Sequence, residues 1–181
     1  MYDFKDGILG FSTHFNDYVT GPLLVWELFE AGRLSEPTFA FYLAGNEETS
    51  YLDVGVIQSG SMRDPSKYVE FDVIDNSFWW MNYIRGVSFA GEEFIIEEDI
   101  AITDTGTTCV YMPDRYYDHF MSHVFKDIHK VETSLGDNYI RCRDVEKLPT
   151  VEFNLGYYWL QMLPEDYAIA DSYYCFICIL P

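Results

Sequence analysis

From Ser50 onward the sequence is a succession of short apolar and β-branched runs broken by turn residues, and this patterning constrains the fold more than any other feature. "SYLDVGVI", "YVEFDVI", "FWWMNYIRGVSF" and "EFIIEEDIAIT" are each of strand length, and Gly, Asn, Asp, Ser and Pro separate them. Such punctuation predicts an all-β body built on hairpins. The 18 % aromatic content, rich in Tyr and Phe, agrees, because aromatic and β-branched side chains suit a pleated surface better than a helical bundle. With 181 residues and 49 % hydrophobic content, the chain can bury a packed core, which argues against disorder.

Two segments carry helical patterns. "TGPLLVWELFEAGRL" places Pro22 where a first turn tolerates it and Gly32 where a helix stops, with Leu24, Trp26, Leu28 and Phe29 as its expected buried side. "PDRYYDHFMSHVFKDI" opens at Pro113 and sets Tyr117, Phe120, Met121, Val124, Phe125 and Ile128 on one face. Between them, "PTFAFYLA" (Pro37 to Ala44) alternates as a strand, and the polar "GNEETS" (Gly45 to Ser50) is the expected boundary between two structural units.

The formal net charge is −19, from 30 acidic against 11 basic side chains. Such a surface repels a phosphate backbone and an anionic membrane, so neither nucleic acid nor membrane is an expected partner. It suits work at low pH, where part of the charge is neutralised, yet cytosolic proteins are often acidic too. No apolar run reaches the roughly 20 residues of a membrane helix. "MYDFKDGILGF" carries acidic residues where a signal peptide has a basic region.

The chemistry concentrates around "AITDTGTTCVY", Ala101 to Tyr111. Taken alone, D-T-G is a turn sequence. Here an apolar strand, "DIAIT", enters it, two further threonines follow, and "CVYMP" leads into the second helix. This arrangement resembles the second catalytic motif of pepsin-like aspartic proteases: two apolar residues, then D-T-G-T/S-S/T. Other segments resemble the same family in the same order. "DGILGF" (Asp6 to Phe11) is similar to its D-G-I-L-G-L segment, and Pro37 to Leu43 to its P-x-F-S-x-Y-L stretch. "SFWWMNYIRGVSF" is similar to its Y-W-Q-I-x-x-D-x-I strand, and "CRDVEKLPTVEFNLG" to its C-x-x-x-x-x-L-P-x-I-x-F-x-x-x-G stretch.

The resemblance implies a mainly β, partial pepsin-like acid protease fold: residues 1–45 as the end of the N-terminal lobe and 46–181 as a nearly complete, barrel-like C-terminal lobe lacking its last strands. It implies hydrolysis of peptide bonds by a water activated between two aspartates that share one proton, because like charges about 3 Å apart cannot both ionise cheaply. Asp104 is one of the two. Thr105 is the residue whose hydroxyl reaches the opposite lobe, Gly106 allows a backbone amide close to the carboxylate, Thr107 orients that carboxylate, and Thr108 faces the substrate cleft. A peptide or protein substrate is expected, with no cofactor.

The resemblance also pairs Cys142 with Cys175. Closing that loop stabilises by roughly 3 to 4 kcal/mol on a chain-entropy basis. It implies an oxidising compartment: lysosomal, vacuolar or secreted. Cys109 and Cys178 have no counterpart, and Cys109 is expected to pack as a small apolar side chain.

The pattern is incomplete, since the 181 residues hold no second D-T-G or D-S-G, no flap hairpin before "DGILGF" and no closing apolar-apolar-Gly motif. The expectation is therefore a fragment or truncated product, inactive alone because the N-terminal lobe residues needed for the dyad are missing. The alternative is a catalytically inactive homologue binding extended peptides. A self-associating half-protease ranks third, because a chain with pieces of both lobes would meet its copy on mismatched surfaces.

No metal site is expected. His119 and His123 stand four apart on the second helix, a zinc-chelating spacing, but without an H-E-x-x-H arrangement. The acids of "GEEFIIEEDI" (Glu92, Glu93, Glu97, Glu98 and Asp99) lack the order of a calcium loop and read as a solvated hairpin. Of Trp79 and Trp80, alternation along a strand puts only one ring inward.

Overall fold

The structure is a computed structural model that describes residues 9–13, 21–44, 49–58, 65–74, 77–133 and 136–181. Of the two polar and apolar landmarks above, Asp6 to Ile8 and Gly45 to Glu48 lie outside the described residues. The chain divides into two compact units, Met1–Trp80 and Met81–Pro181.

In the first unit, helix α1 (Leu24–Glu30) is stopped by Gly32 at φ 65°. The Gly32 amide donates to the Phe29 carbonyl and the Arg33 amide to that of Leu28, so the left-handed glycine closes the helix by satisfying its last carbonyls. The buried side differs from the expected one. Val25 is buried and Leu28 and Phe29 half-buried, whereas Leu24 and Trp26 are exposed, because a helix this short presents only one narrow stripe. Pro22 precedes the helix instead of opening it.

Strands β1 (Phe39–Tyr42) and β2 (Tyr51–Val54) pair antiparallel, so the two runs on either side of Gly45–Ser50 form one ladder. "YVEFDVI" alternates between half-buried and exposed from Tyr68 to Val73 but makes no ladder. Trp79 and Trp80 precede the next strand, and both rings stay partly exposed; neither is the core residue expected. Trp80 donates from Nε1 to the Phe11 carbonyl at 2.7 Å and meets Phe39 edge-on at 5.5 Å.

The second unit is built from two antiparallel four-stranded sheets. One runs β4–β3–β8–β9, from β3 (Met81–Phe89), β4 (Glu92–Ile102), β8 (Val151–Leu155) and β9 (Tyr158–Met162). The other runs β10–β11–β7–β6, from β6 (Val131–Thr133), β7 (Gly136–Arg141), β10 (Ala168–Asp171) and β11 (Tyr174–Ile177). A short parallel pair joins β5 (Val110–Tyr111) to β12 (Ile179–Leu180). Two helices complete it: α2 (Asp114–Asp127) and the single turn α3 (Pro164–Tyr167). The architecture is mainly β with few short helices, as the patterning predicts.

The core forms where α2 meets the sheets. Phe120, Val124, Ile140, Val151, Tyr167, Ile177 and Ile179 are fully buried, and Phe120 meets Phe89 edge-on at 5.4 Å. Helix α2 buries Phe120, Met121 and Val124 with half-buried Tyr117 and Phe125, matching the expected face, and adds Tyr116. Strand β3 bulges between Ile84 and Gly86. The Trp159 ring packs so closely there that a Cβ on Gly86 would lie 3.0 Å from it. The strand therefore needs a residue without a side chain at that point.

All four cysteines are bridged. Cys142 pairs with Cys175 as expected, and Cys109 pairs with Cys178 across a sequence separation of 69. The second bridge corrects the expectation that Cys109 packs as a small apolar side chain. Its cause is topological: the residues lie immediately before β5 and β12, and the parallel pairing of those strands brings the two sulfurs together.

Candidate active site

The loop carrying Asp104 leaves the end of β4 at Ile102 and ends at Val110, where β5 begins its parallel pairing with β12. Apolar, β-branched residues hold both flanks in ladders, and the segment between them turns because Gly106 and the Asp104 side chain supply local hydrogen bonds. Thr105 and Gly106 form the turn itself. The Thr107 amide donates to the Asp104 carbonyl at 3.3 Å, which closes it.

Both carboxylate oxygens of Asp104 are engaged. The Gly106 amide donates to Oδ1 at 2.8 Å, and the Thr107 hydroxyl donates to Oδ2 at 2.5 Å. A Cβ at Gly106 would sit 3.1 Å from Oδ1, so glycine is what permits the amide to come this close without crowding the carboxylate. The two donors favour the ionised form: first the Thr107 hydroxyl, then the Gly106 amide, hold the Asp104 carboxyl below its ordinary value of 3.8. Asp104 through Thr108 are all exposed, so the carboxylate is fixed in orientation yet open to an incoming molecule.

The exit of the loop is anchored twice. The Cys109–Cys178 bridge fixes it covalently, and the Val110 and Met112 amides donate to the Cys178 and Leu180 carbonyls, each at 2.9 Å. The structure thus gathers Asp104 to Thr107 into one turn, in which Gly106 and Thr107 hydrogen-bond the Asp104 carboxylate, with Thr108 next to it and all five residues exposed. A carboxylate held in this way can accept a proton from water and, once protonated, can donate a hydrogen bond to a polarised carbonyl, the two tasks of an acid–base carboxylate.

The family comparison matches this chain from end to end: the sequence model described as "Eukaryotic aspartyl protease" covers residues 1–181. The chain belongs to the eukaryotic aspartyl protease family. Napsin-A of Homo sapiens is 30 % identical over 173 residues, which cover 92 % of this chain and 39 % of that protein. Pepsin B of Canis lupus familiaris is 22 % identical over 183 residues, 96 % of this chain and 44 % of that protein. Plasmepsin IV of Plasmodium falciparum (isolate 3D7) is 25 % identical over 183 residues, 97 % of this chain and 38 % of that protein. The aspartyl protease chain therefore spans less than half the length of these curated relatives.

One cluster outside this loop escaped the sequence reading. Glu92, at the start of β4, lies against His119 and His123 of α2. The histidine spacing was legible, but a carboxylate contributed from a distant hairpin leaves no local signature. Among the described residues no helix is long and apolar enough to cross a membrane.

Proposed function

We propose that this aspartyl protease chain contributes Asp104 as one carboxylate of a proton-sharing dyad in an aspartic-type endopeptidase. The observation that carries the reading is the state of that carboxylate: both oxygens are held by short donors, while the side chain stays exposed. Held ionised, Asp104 is suited to take a proton from the attacking water, while a partner carboxylic acid protonates the scissile carbonyl. The second aspartate comes from outside these 181 residues, since they contain a single D-T-G.

In this proposal Thr107 and Gly106 set the rotamer and charge of Asp104, Thr105 reaches toward the opposite lobe, and Thr108 faces the bound peptide. The substrate is a peptide or protein taken up in extended form. The two disulfides support folding along an oxidising route, toward a lysosome, a vacuole or the outside of the cell.

The experiment is hydrolysis of an acid-denatured protein by the full natural protein between about pH 3 and 5, with and without a pepstatin-type inhibitor. Cleavage that the inhibitor blocks, and that Asp104→Asn abolishes while the circular dichroism spectrum is kept, is the expected result. Inhibitor binding without cleavage would instead identify a peptide-binding homologue that has lost catalysis.

A further inference from the structure

The β3–β4 hairpin turns through Ala90 and Gly91, both in the left-handed region at φ 52° and 79°, the signature of a tight two-residue turn. This places Glu92 opposite Phe89 at the very tip of the ladder. Helix α2 presents His119 and His123 one turn apart on a single face, toward that tip. Glu92 Oε2 lies 2.9 Å from His119 Nε2, and Oε1 lies 3.7 Å from His123 Nε2. All three donor atoms fall within 4.8 Å of one another.

The imidazoles are held by packing. His119 sits against Phe94 at 4.8 Å and Phe89 at 5.8 Å, His123 against Phe89 at 6.0 Å, and the two imidazole centroids are 5.3 Å apart. Each side chain remains partly exposed, so an ion can enter from solvent. We propose that Glu92, His119 and His123 form a binding site for a zinc-class divalent ion, with water completing the coordination.

The donor chemistry selects the class. Two imidazoles and one carboxylate suit zinc and its neighbours, whereas calcium and magnesium require mostly oxygen ligands. A tetrahedral zinc with ligands about 2.0 to 2.1 Å away sets its donors about 3.3 Å apart. The two Glu92–histidine distances, one to each carboxylate oxygen, straddle that spacing, and all the donor atoms lie within 4.8 Å of one another, so closing on an ion takes rotation of partly exposed side chains and no change of backbone. Lys126 also acts electrostatically on Glu92, less strongly than either histidine, while the net charge of −19 favours the approach of a dication. The ion would tie the head of β4, the strand that leads into the Asp104 loop, to the middle of α2, the helix that follows β5 after it.

Calorimetric titration of zinc chloride into chelator-treated, dialysed protein tests this. One zinc per chain at low-micromolar affinity is expected. Both cysteine pairs are bridged, so thiolates do not compete. Glu92→Gln and His123→Ala should each weaken binding by at least about tenfold, since losing a ligand costs no less than losing the outer-shell partner of one. His129→Ala, outside the cluster, should leave it unchanged. Cobalt(II) should give a visible ligand-field band that the His119→Ala/His123→Ala double variant loses. Absence of zinc binding by the native protein, undiminished binding by the double variant, or displacement of zinc by equimolar magnesium would each overturn the proposal.

Discussion

A carboxylate on an exposed loop has no reason of its own to hold one rotamer, and at Asp104 the constraint comes from two neighbours within three residues. Thr107→Val removes the stronger of the two donors without changing the side-chain outline, so the Asp104 carboxyl should titrate closer to its ordinary 3.8, while Thr107→Ser keeps it low. Carbon-detected NMR titration of the aspartate carboxyls reads this directly. The sign of the linkage follows from the lowered value: the turn's stabilisation is complete above the ordinary carboxyl range and is lost as the pH falls through the folded value. Tyr167 is the opposite case, a buried phenol whose hydroxyl donates to the Pro149 carbonyl at 2.6 Å. Burial pushes its ionisation upward from 10.0, so its contribution to stability is full below pH 10 and is lost as the pH rises beyond it. Tyr167→Phe should cost about 1 kcal/mol in urea unfolding at neutral pH, from the lost hydrogen bond to the half-buried Pro149, and should remove this part of the alkaline loss.

At the scale of elements, the least conspicuous pair of strands holds the candidate site. The β5–β12 contact is two residues long on each side, too short to hold its register alone, and the Cys109–Cys178 bridge supplies the constraint. The bridge closes a loop with a sequence separation of 69 against 33 for Cys142–Cys175. On the chain-entropy model each stabilises by about 4 kcal/mol, the longer loop by slightly more. Replacing Cys109 and Cys178 by serine should therefore lower stability at least as much as the Cys142/Cys175 change. Hydrogen exchange should also speed up at Val110 and Met112, whose amides depend on β12. What was legible in the sequence divides along the same line. Helix α2 was legible because six apolar residues recur at helical spacing, and the hairpin of β3 and β4 because turn residues bracket alternating runs. The buried side of α1 was not, because seven residues give too few turns to define a stripe. "YVEFDVI" has the alternation of a strand, but pairing depends on a partner that local sequence does not encode. The Cys109–Cys178 bridge and the Glu92–histidine cluster were hidden for the same reason, each joining residues brought together only by the tertiary path.

For the molecule as a whole, the dominant electrostatic fact is the excess of 30 acidic over 11 basic side chains. Most of this charge is solvated, and the described ion pairs have at least one exposed partner, as in Lys147 with half-buried Asp144 at 2.5 Å, so their net value is small. Self-repulsion should therefore outweigh specific attraction at neutral pH. Raising ionic strength from about 0.01 to 0.15 M shortens the screening length from about 30 to 8 Å, which weakens repulsion between distant carboxylates far more than contacts between touching groups. The melting temperature at pH 7 should accordingly rise with sodium chloride over this range, and the gain should shrink as the pH is lowered toward 5 and protonation begins to remove charge. Differential scanning calorimetry across a grid of salt and pH measures both trends. A melting temperature that falls with salt at pH 7 would mean instead that local ion pairs, the Glu92–histidine contact among them, contribute more than the acidic field costs.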